Sequence, residues 1–159
     1  MDGSKSESRN PGGVRPLVAD YLLEFTYKRS LGPVIGNFFS GLREQLIYGA
    51  RTPSGRVIVP PTEYDPDTGE AVVEHVLVGD AGRVETWSWV AAPLACHPLP
   101  HPFAWALIRL DGADTSLFHA VDIGARESMK TGMRVKARWR AERIGTIRDL
   151  ECFVPEWFR

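Results

Sequence analysis

From residue 83 to residue 153 the chain is a succession of short segments that alternate in polarity or run apolar, punctuated by Gly, Pro and Asp. That pattern leaves few architectures open. It is plainest in Arg134-Val135-Lys136-Ala137-Arg138-Trp139-Arg140, where Val135, Ala137 and Trp139 take one face and four basic residues the other. Strands are expected at residues 83–90, 103–110, 115–121, 134–140 and 146–153, with residues 72–78 leading in. A short helical turn is expected near residues 125–130. In the first strand the alternation predicts Val84, Thr86, Ser88 and Val90 on one face, and Arg83, Glu85, Trp87 and Trp89 on the other. Five strands with a helical piece between the third and fourth describe a small five-stranded barrel.

Upstream, the signals change. Residues 1–16 hold Ser, Gly, Pro and charge with little apolar matter, so a disordered tail is expected. Residues 17–27 turn apolar and aromatic, as an arm or short helix that periodicity does not resolve. Pro33 suits a helix first turn, and Val34, Phe38, Leu42 and Leu46 recur at four-residue steps, predicting a helix over residues 33–47 stopped by Gly49. A hairpin follows around Thr52-Pro53-Ser54-Gly55, and Asp65-Pro66-Asp67-Thr68-Gly69 reads as a second tight turn. Calcium is a poor occupant of that acidic turn, because the EF-hand pattern fails after two positions. With Cys at 51, 54, 65 and 68 these two turns would be the knuckles of a zinc ribbon. The chain has Arg51, Ser54, Asp65 and Thr68 there. Zinc wants thiolate or imidazole in a closed tetrahedron, so a degenerate, metal-free ribbon is expected.

The stretch Gly55-Arg56-Val57-Ile58-Val59-Pro60-Pro61 resembles the G-R-V-x-x-P-P segment between the knuckles of the acyl-CoA-associated zinc-ribbon/OB-fold proteins, a thiolase-associated family. Gly82-Arg83-Val84-Glu85-Thr86-Trp87-Ser88 is similar to that family's opening barrel strand. The segments 103–112 and Thr131-Gly132-Met133-Arg134-Val135 resemble its next strand and its G-M-x-V turn. The resemblance spans residues 33–156 and implies a mainly β chain: a tail (1–16), an arm, helix and degenerate rubredoxin-like ribbon (17–71), then an OB-fold barrel (72–159). It also implies a non-catalytic subunit of a thiolase-like, lipid-transfer-type enzyme that cleaves carbon–carbon bonds by thiolase or retro-aldol chemistry, as in sterol side-chain degradation. The partner then holds the catalytic residues, and this chain completes the interface and the channel for a CoA thioester.

Composition is compatible with that role. A net charge of −1 argues against a dedicated nucleic-acid binder, although single-stranded binding remains the alternative that an OB pattern raises. No apolar run approaches a membrane span, so a cytoplasmic protein is expected. Cys96 and Cys152 are widely spaced and in no motif, and read as reduced thiols. Cys96-His97-Pro98-Leu99-Pro100-His101-Pro102 has ligand-type side chains, but three prolines would splay them, and no metal or other cofactor is expected. No Ser-His-Asp order, nucleophile elbow or phosphate loop appears. The expected contact residues for CoA or the partner are aromatic and basic. Phe38 and Phe39 lie on the helix; Trp87, Trp89, Phe103 and Trp105 form a stripe on neighbouring strands; Trp157 and Phe158 are in the tail. Arg109, Arg138 and Arg140 accompany them, with His119 on a barrel wall.

Overall fold

The computed structural model describes residues 21, 23, 30–72 and 74–157. The expectations for residues 1–16, for most of 17–27 and for Phe158 lie outside these. Helix α1 spans Gly32–Arg43, with Pro33 in its first turn and Arg43 complementing the dipole at its end. It buries Val34, Phe38 and Leu42. It stops four residues before the sequence reading had it stop. Gln45 adopts φ 64°, its N–H reaches the Leu42 carbonyl at 3.1 Å, and the Leu46 N–H reaches that of Gly41 at 2.9 Å. This is a Schellman closure with Gln where Gly is usual. Gly49 is not the stop. It lies inside the next strand, where a Cβ would sit 2.9 Å from Val57 Cγ1.

Strands β1 (Ile47–Arg51) and β2 (Val57–Ile58) form the expected hairpin. β3 (Glu74–Val78) pairs antiparallel with β1 along its whole length, completing a three-stranded sheet in the order β2-β1-β3. The segment expected to lead into the barrel thus belongs to the ribbon sheet.

The remaining strands are β4 (Ala81–Val90), β5 (Phe103–Leu110), β6 (Ser116–Val121), β7 (Arg134–Trp139) and β8 (Leu150–Pro155). They close a barrel in the order β4-β5-β6-β8-β7, with a 3-10 turn at Arg126–Ser128 between the third and fourth. Antiparallel neighbours plus one parallel pair, β6 with β8, give the five-stranded Greek-key barrel of an OB fold. Val84, Ile108, Leu117, Val135 and Phe153 fill its interior, each at most 2% exposed. Trp139 packs on the same core as Val135 and Ala137, as the alternation in that strand required.

Two details depart from the sequence reading. The segment expected as a strand from residue 146 begins as a 3-10 turn, Ile147–Asp149, because the Asp149 carboxylate gathers the backbone there. In β4 a bulge sits between Val84 and Thr86, so that Val84 pairs with Ile108 and Thr86 with Leu107. One extra residue inverts the phase of everything after it. Trp87 and Trp89 therefore pack on the barrel core instead of facing out with Arg83 and Glu85. Thr86 and Ser88 are the exposed pair.

Among the described residues no helix is long and apolar enough to cross a membrane.

Candidate functional site

The expected aromatic stripe does not form. Phe38 is 3% and Phe103 0% exposed, so both are core and closed to a partner. Trp87 and Trp89 line the barrel interior, whereas Phe103 and Trp105 lie on the outer face of β5, in a second small core with Leu99, Ala120 and Cys152. Phe39 is half-buried against the main core. Trp157 is 72% exposed beside Glu156, which Arg134 holds at 3.0 Å.

The basic residues also divide. Arg109 is paired with Glu85, which also accepts the Ser116 hydroxyl. Arg138 reaches Asp122 at 3.0 Å and Glu151 at 2.8 Å over the Cys152 position, and so is committed to carboxylates of its own chain. Arg140 is different: among the described residues no ion pair holds its guanidinium, and the same is true of Arg148.

What the structure does bring together is a cleft of about 410 Å³. β6 and β8 pair only at Val121↔Phe153, so their earlier parts diverge, leaving Phe118 and His119 on one side and Leu150 and Glu151 on the other. Trp105 of β5, the loop segment 95–98, Arg140 and Arg148 complete the walls. Of the sequence candidates, Trp105, His119 and Arg140 meet here. Phe118, Arg148 and Glu151 were missed, and only the pairing geometry reveals them. Phe118 and Trp105 stack with centroids 4.9 Å apart and planes 20° from parallel, although Phe118 is 56% exposed. His97 meets Trp105 edge-on at 6.2 Å.

His119 is 7% exposed and lies edge-on to Phe153, and its Nδ1 has no hydrogen-bond partner. Burial pulls its pKa down to about 4, against the opposite pull of the Ala120 and Ile147 backbone, so the ring is neutral at pH 7. Burial also pushes the Cys152 thiol up to about 12, which removes it as a nucleophile. The other histidine-bearing loop holds its two imidazoles apart. His97 Nδ1 accepts the Leu94 N–H at 3.1 Å, and His101 Nε2 faces Asp122 at 3.1 Å. Among the described residues no three His, Cys, Asp or Glu side chains converge.

The ribbon frame has its own polar closure. Thr52 Oγ1 and Ser54 Oγ are 2.8 Å apart, and the Ser54 hydroxyl donates to Asp65 Oδ2 at 3.2 Å across the two turns. Asp65 Oδ1 accepts the Asp67 N–H at 2.9 Å, which is the chief reason its carboxyl lies below the ordinary range. Arg56 pairs with Asp67 over the same gap. Arg51 turns away to Glu74, and Thr68 to Glu70. The four frame positions thus hold one carboxylate, two hydroxyls and a guanidinium, none of them the thiolate or imidazole that zinc favours.

Residues 75–140 match the family model of the ChsH2 C-terminal OB-fold domain. Among solved structures the chain is similar to a DUF35-family protein of unknown function from Sulfolobus solfataricus, 24% identical over 67% of this chain and 77% of that one, with a TM-score of 0.55. It is also similar to a chain of the Ltp2-ChsH2(DUF35) aldolase, 20% identical over 80% of this chain and 98% of that one, with a TM-score of 0.56. No curated protein matches the sequence. The barrel order, the parallel β6–β8 contact and the match over residues 75–140 agree: the barrel has the OB fold, and it is similar to the ChsH2 C-terminal OB-fold domain.

Proposed function

We propose that this chain is the OB-fold subunit of an aldolase- or thiolase-type complex acting on a CoA thioester, and that the bond-breaking residues belong to its partner. The observation that carries this reading is the fold match along 80% of the chain to 98% of a chain from the Ltp2-ChsH2(DUF35) aldolase. The side chains support it. His119 is neutral and buried, Cys152 is kept protonated, and Arg109, Arg134 and Arg138 are tied to carboxylates of the same chain. What remains on the surface suits docking: Trp157 is 72% and Ile144 79% exposed. The lipid or sterol nature of the acyl group is part of the same proposal. So is the absence of zinc: the Ser54–Asp65 hydrogen bond and the Arg56–Asp67 pair stand in for the metal in joining the two turns.

Co-expression with a thiolase-like chain tests the role. A stable complex that cleaves acyl-CoA only when this chain is present supports it. Turnover of a thioester by this chain alone, or no complex with any such partner, refutes it. Elemental analysis of the purified chain is expected to give far less than one equivalent of zinc; a stoichiometric metal would overturn the account of residues 51–68.

A further inference from the structure

The cleft between β6 and β8 has two properties that converge on one kind of ligand. It lies on the face of an OB fold that usually receives ligands, formed by the second and third barrel strands with the loops after the first and fourth. Here those are β5, β6, the segment 95–98 and the segment 140–149. Its volume of about 410 Å³ falls within the range of small-molecule sites.

The first property is aromatic. Phe118 stacks on Trp105 yet stays 56% exposed, an arrangement that offers a flat π surface to a planar ring. The second is charge. Most arginines of the described structure are engaged: Arg51, Arg56, Arg109, Arg134 and Arg138 by carboxylates, Arg143 by the carbonyls of Arg43 and Arg140. Arg140 and Arg148 have no such partner among the described residues, and both line this cleft. Two forked guanidiniums lining one cleft suit a phosphate better than a single small carboxylate. His119 also lines the cleft, with its unpaired Nδ1 buried in the wall and out of a ligand's reach.

We infer that the cleft binds a purine nucleotide, with the base against Phe118 and Trp105 and the phosphate on Arg140 and Arg148. The nucleotide is either free or the adenosine-phosphate end of a CoA thioester, since the cleft chemistry is common to both. The site is complete within this chain, so it is tested on the chain alone, whatever becomes of the proposed partner.

The experiment is a calorimetric titration of the full chain at physiological salt with adenosine 5′-phosphate, CoA, adenosine, inorganic phosphate and a single-stranded DNA 12-mer. Adenosine 5′-phosphate is expected to bind in roughly the micromolar-to-millimolar range, with adenosine and phosphate each about tenfold or more weaker. Tighter binding of CoA assigns the site to the thioester handle; equal binding assigns it to a free nucleotide. The double variant Arg140→Ala/Arg148→Ala should lose about tenfold or more for adenosine 5′-phosphate while adenosine is unchanged. Phe118→Ala should weaken adenosine and nucleotide alike. All three positions are exposed, so the variants should fold normally, which a melting curve checks. No heat with any nucleotide overturns the inference. So does a 12-mer that binds far more tightly than the mononucleotide, which would make the groove a single-strand track. Nucleotide binding insensitive to both sets of substitutions overturns it as well.

Discussion

Replacing Asp149 with Ala should unravel the loop that carries Arg140 and Arg148 more than any nearby change. Asp149 is 2% exposed. Its carboxylate accepts the N–H groups of Ile144 at 3.1 Å, Gly145 at 2.7 Å and Thr146 at 3.2 Å, together with the Thr146 hydroxyl at 3.3 Å. A buried hydrogen bond to a charged acceptor contributes about 1.5–3 kcal/mol. The loop is at the surface, and water will recover some of these donors. Counting two of the four bonds as lost outright gives about 3–6 kcal/mol for Asp149→Ala. For a domain of this size that lowers Tm by roughly 6–24 °C. Asp149→Asn keeps one acceptor oxygen but turns an NH2 toward backbone donors, so its loss should be of similar order. Urea unfolding followed by tryptophan fluorescence, with an unchanged m-value, measures the difference.

The pH dependence gives a second, independent reading. Burial pushes the Asp149 pKa up, but the amides of Ile144, Gly145 and Thr146 outweigh it and leave the carboxyl below its ordinary value. A depressed folded pKa means the stabilisation is present above the unfolded value, about 3.9, and is lost as pH falls through the folded one. The gap between wild type and Asp149→Asn should therefore narrow in acid. A gap that widens there, or an Asp149→Ala variant within about 0.5 kcal/mol of wild type, would refute the assignment of this carboxylate as the loop's anchor.

Gln45→Gly should stabilise the chain by about 0.5–1 kcal/mol, because the left-handed φ at the end of α1 strains Gln and not Gly; a thermal melt raised by a few degrees checks it. Asp111 and Glu156 are both held below the ordinary carboxyl range chiefly by hydrogen bonds from Arg134, which reaches Asp111 at 2.6 and 2.7 Å. In Arg134→Met both carboxyls should titrate nearer their usual values, as NMR would show, and stability should become less sensitive to acid, since two depressed values are relaxed at once. Gly82→Ala should be poorly tolerated, because a Cβ there would lie 2.3 Å from the Arg109 carbonyl oxygen; loss of soluble protein or a sharply lowered melt is expected.

The barrel was legible because its information is local. Strands β5 to β7 fall within a residue or so of their expected bounds, and the side-chain period of two put Val135, Ala137 and Trp139 inside. The two ribbon turns were equally local, set by Pro, Gly and Asp. Thr146-Ile147-Arg148-Asp149 even shows a capping-box pattern, the signal that could have replaced the expected strand start with a turn.

The candidate site was not legible, and the reasons are geometric. A single bulge in β4 moved Trp87 and Trp89 from the outside to the inside, and no residue type in Arg83-Val84-Glu85-Thr86 announces it. The end of α1 rests on Gln45 in a conformation its side chain does not favour, held by the fold-back of β1 over Gly41, where a Cβ would meet Tyr48 at 2.6 Å. The cleft exists because two strands distant in sequence touch at one residue pair and then part. Which arginines are free follows from which carboxylates the barrel brings beside the others, across separations as large as Glu85 to Arg109. Composition and periodicity determine what each segment becomes, since those preferences act over a few residues. Closure of the barrel, the phase after a bulge and the pairing of charges depend on where the segments meet, and only the tertiary structure decided them.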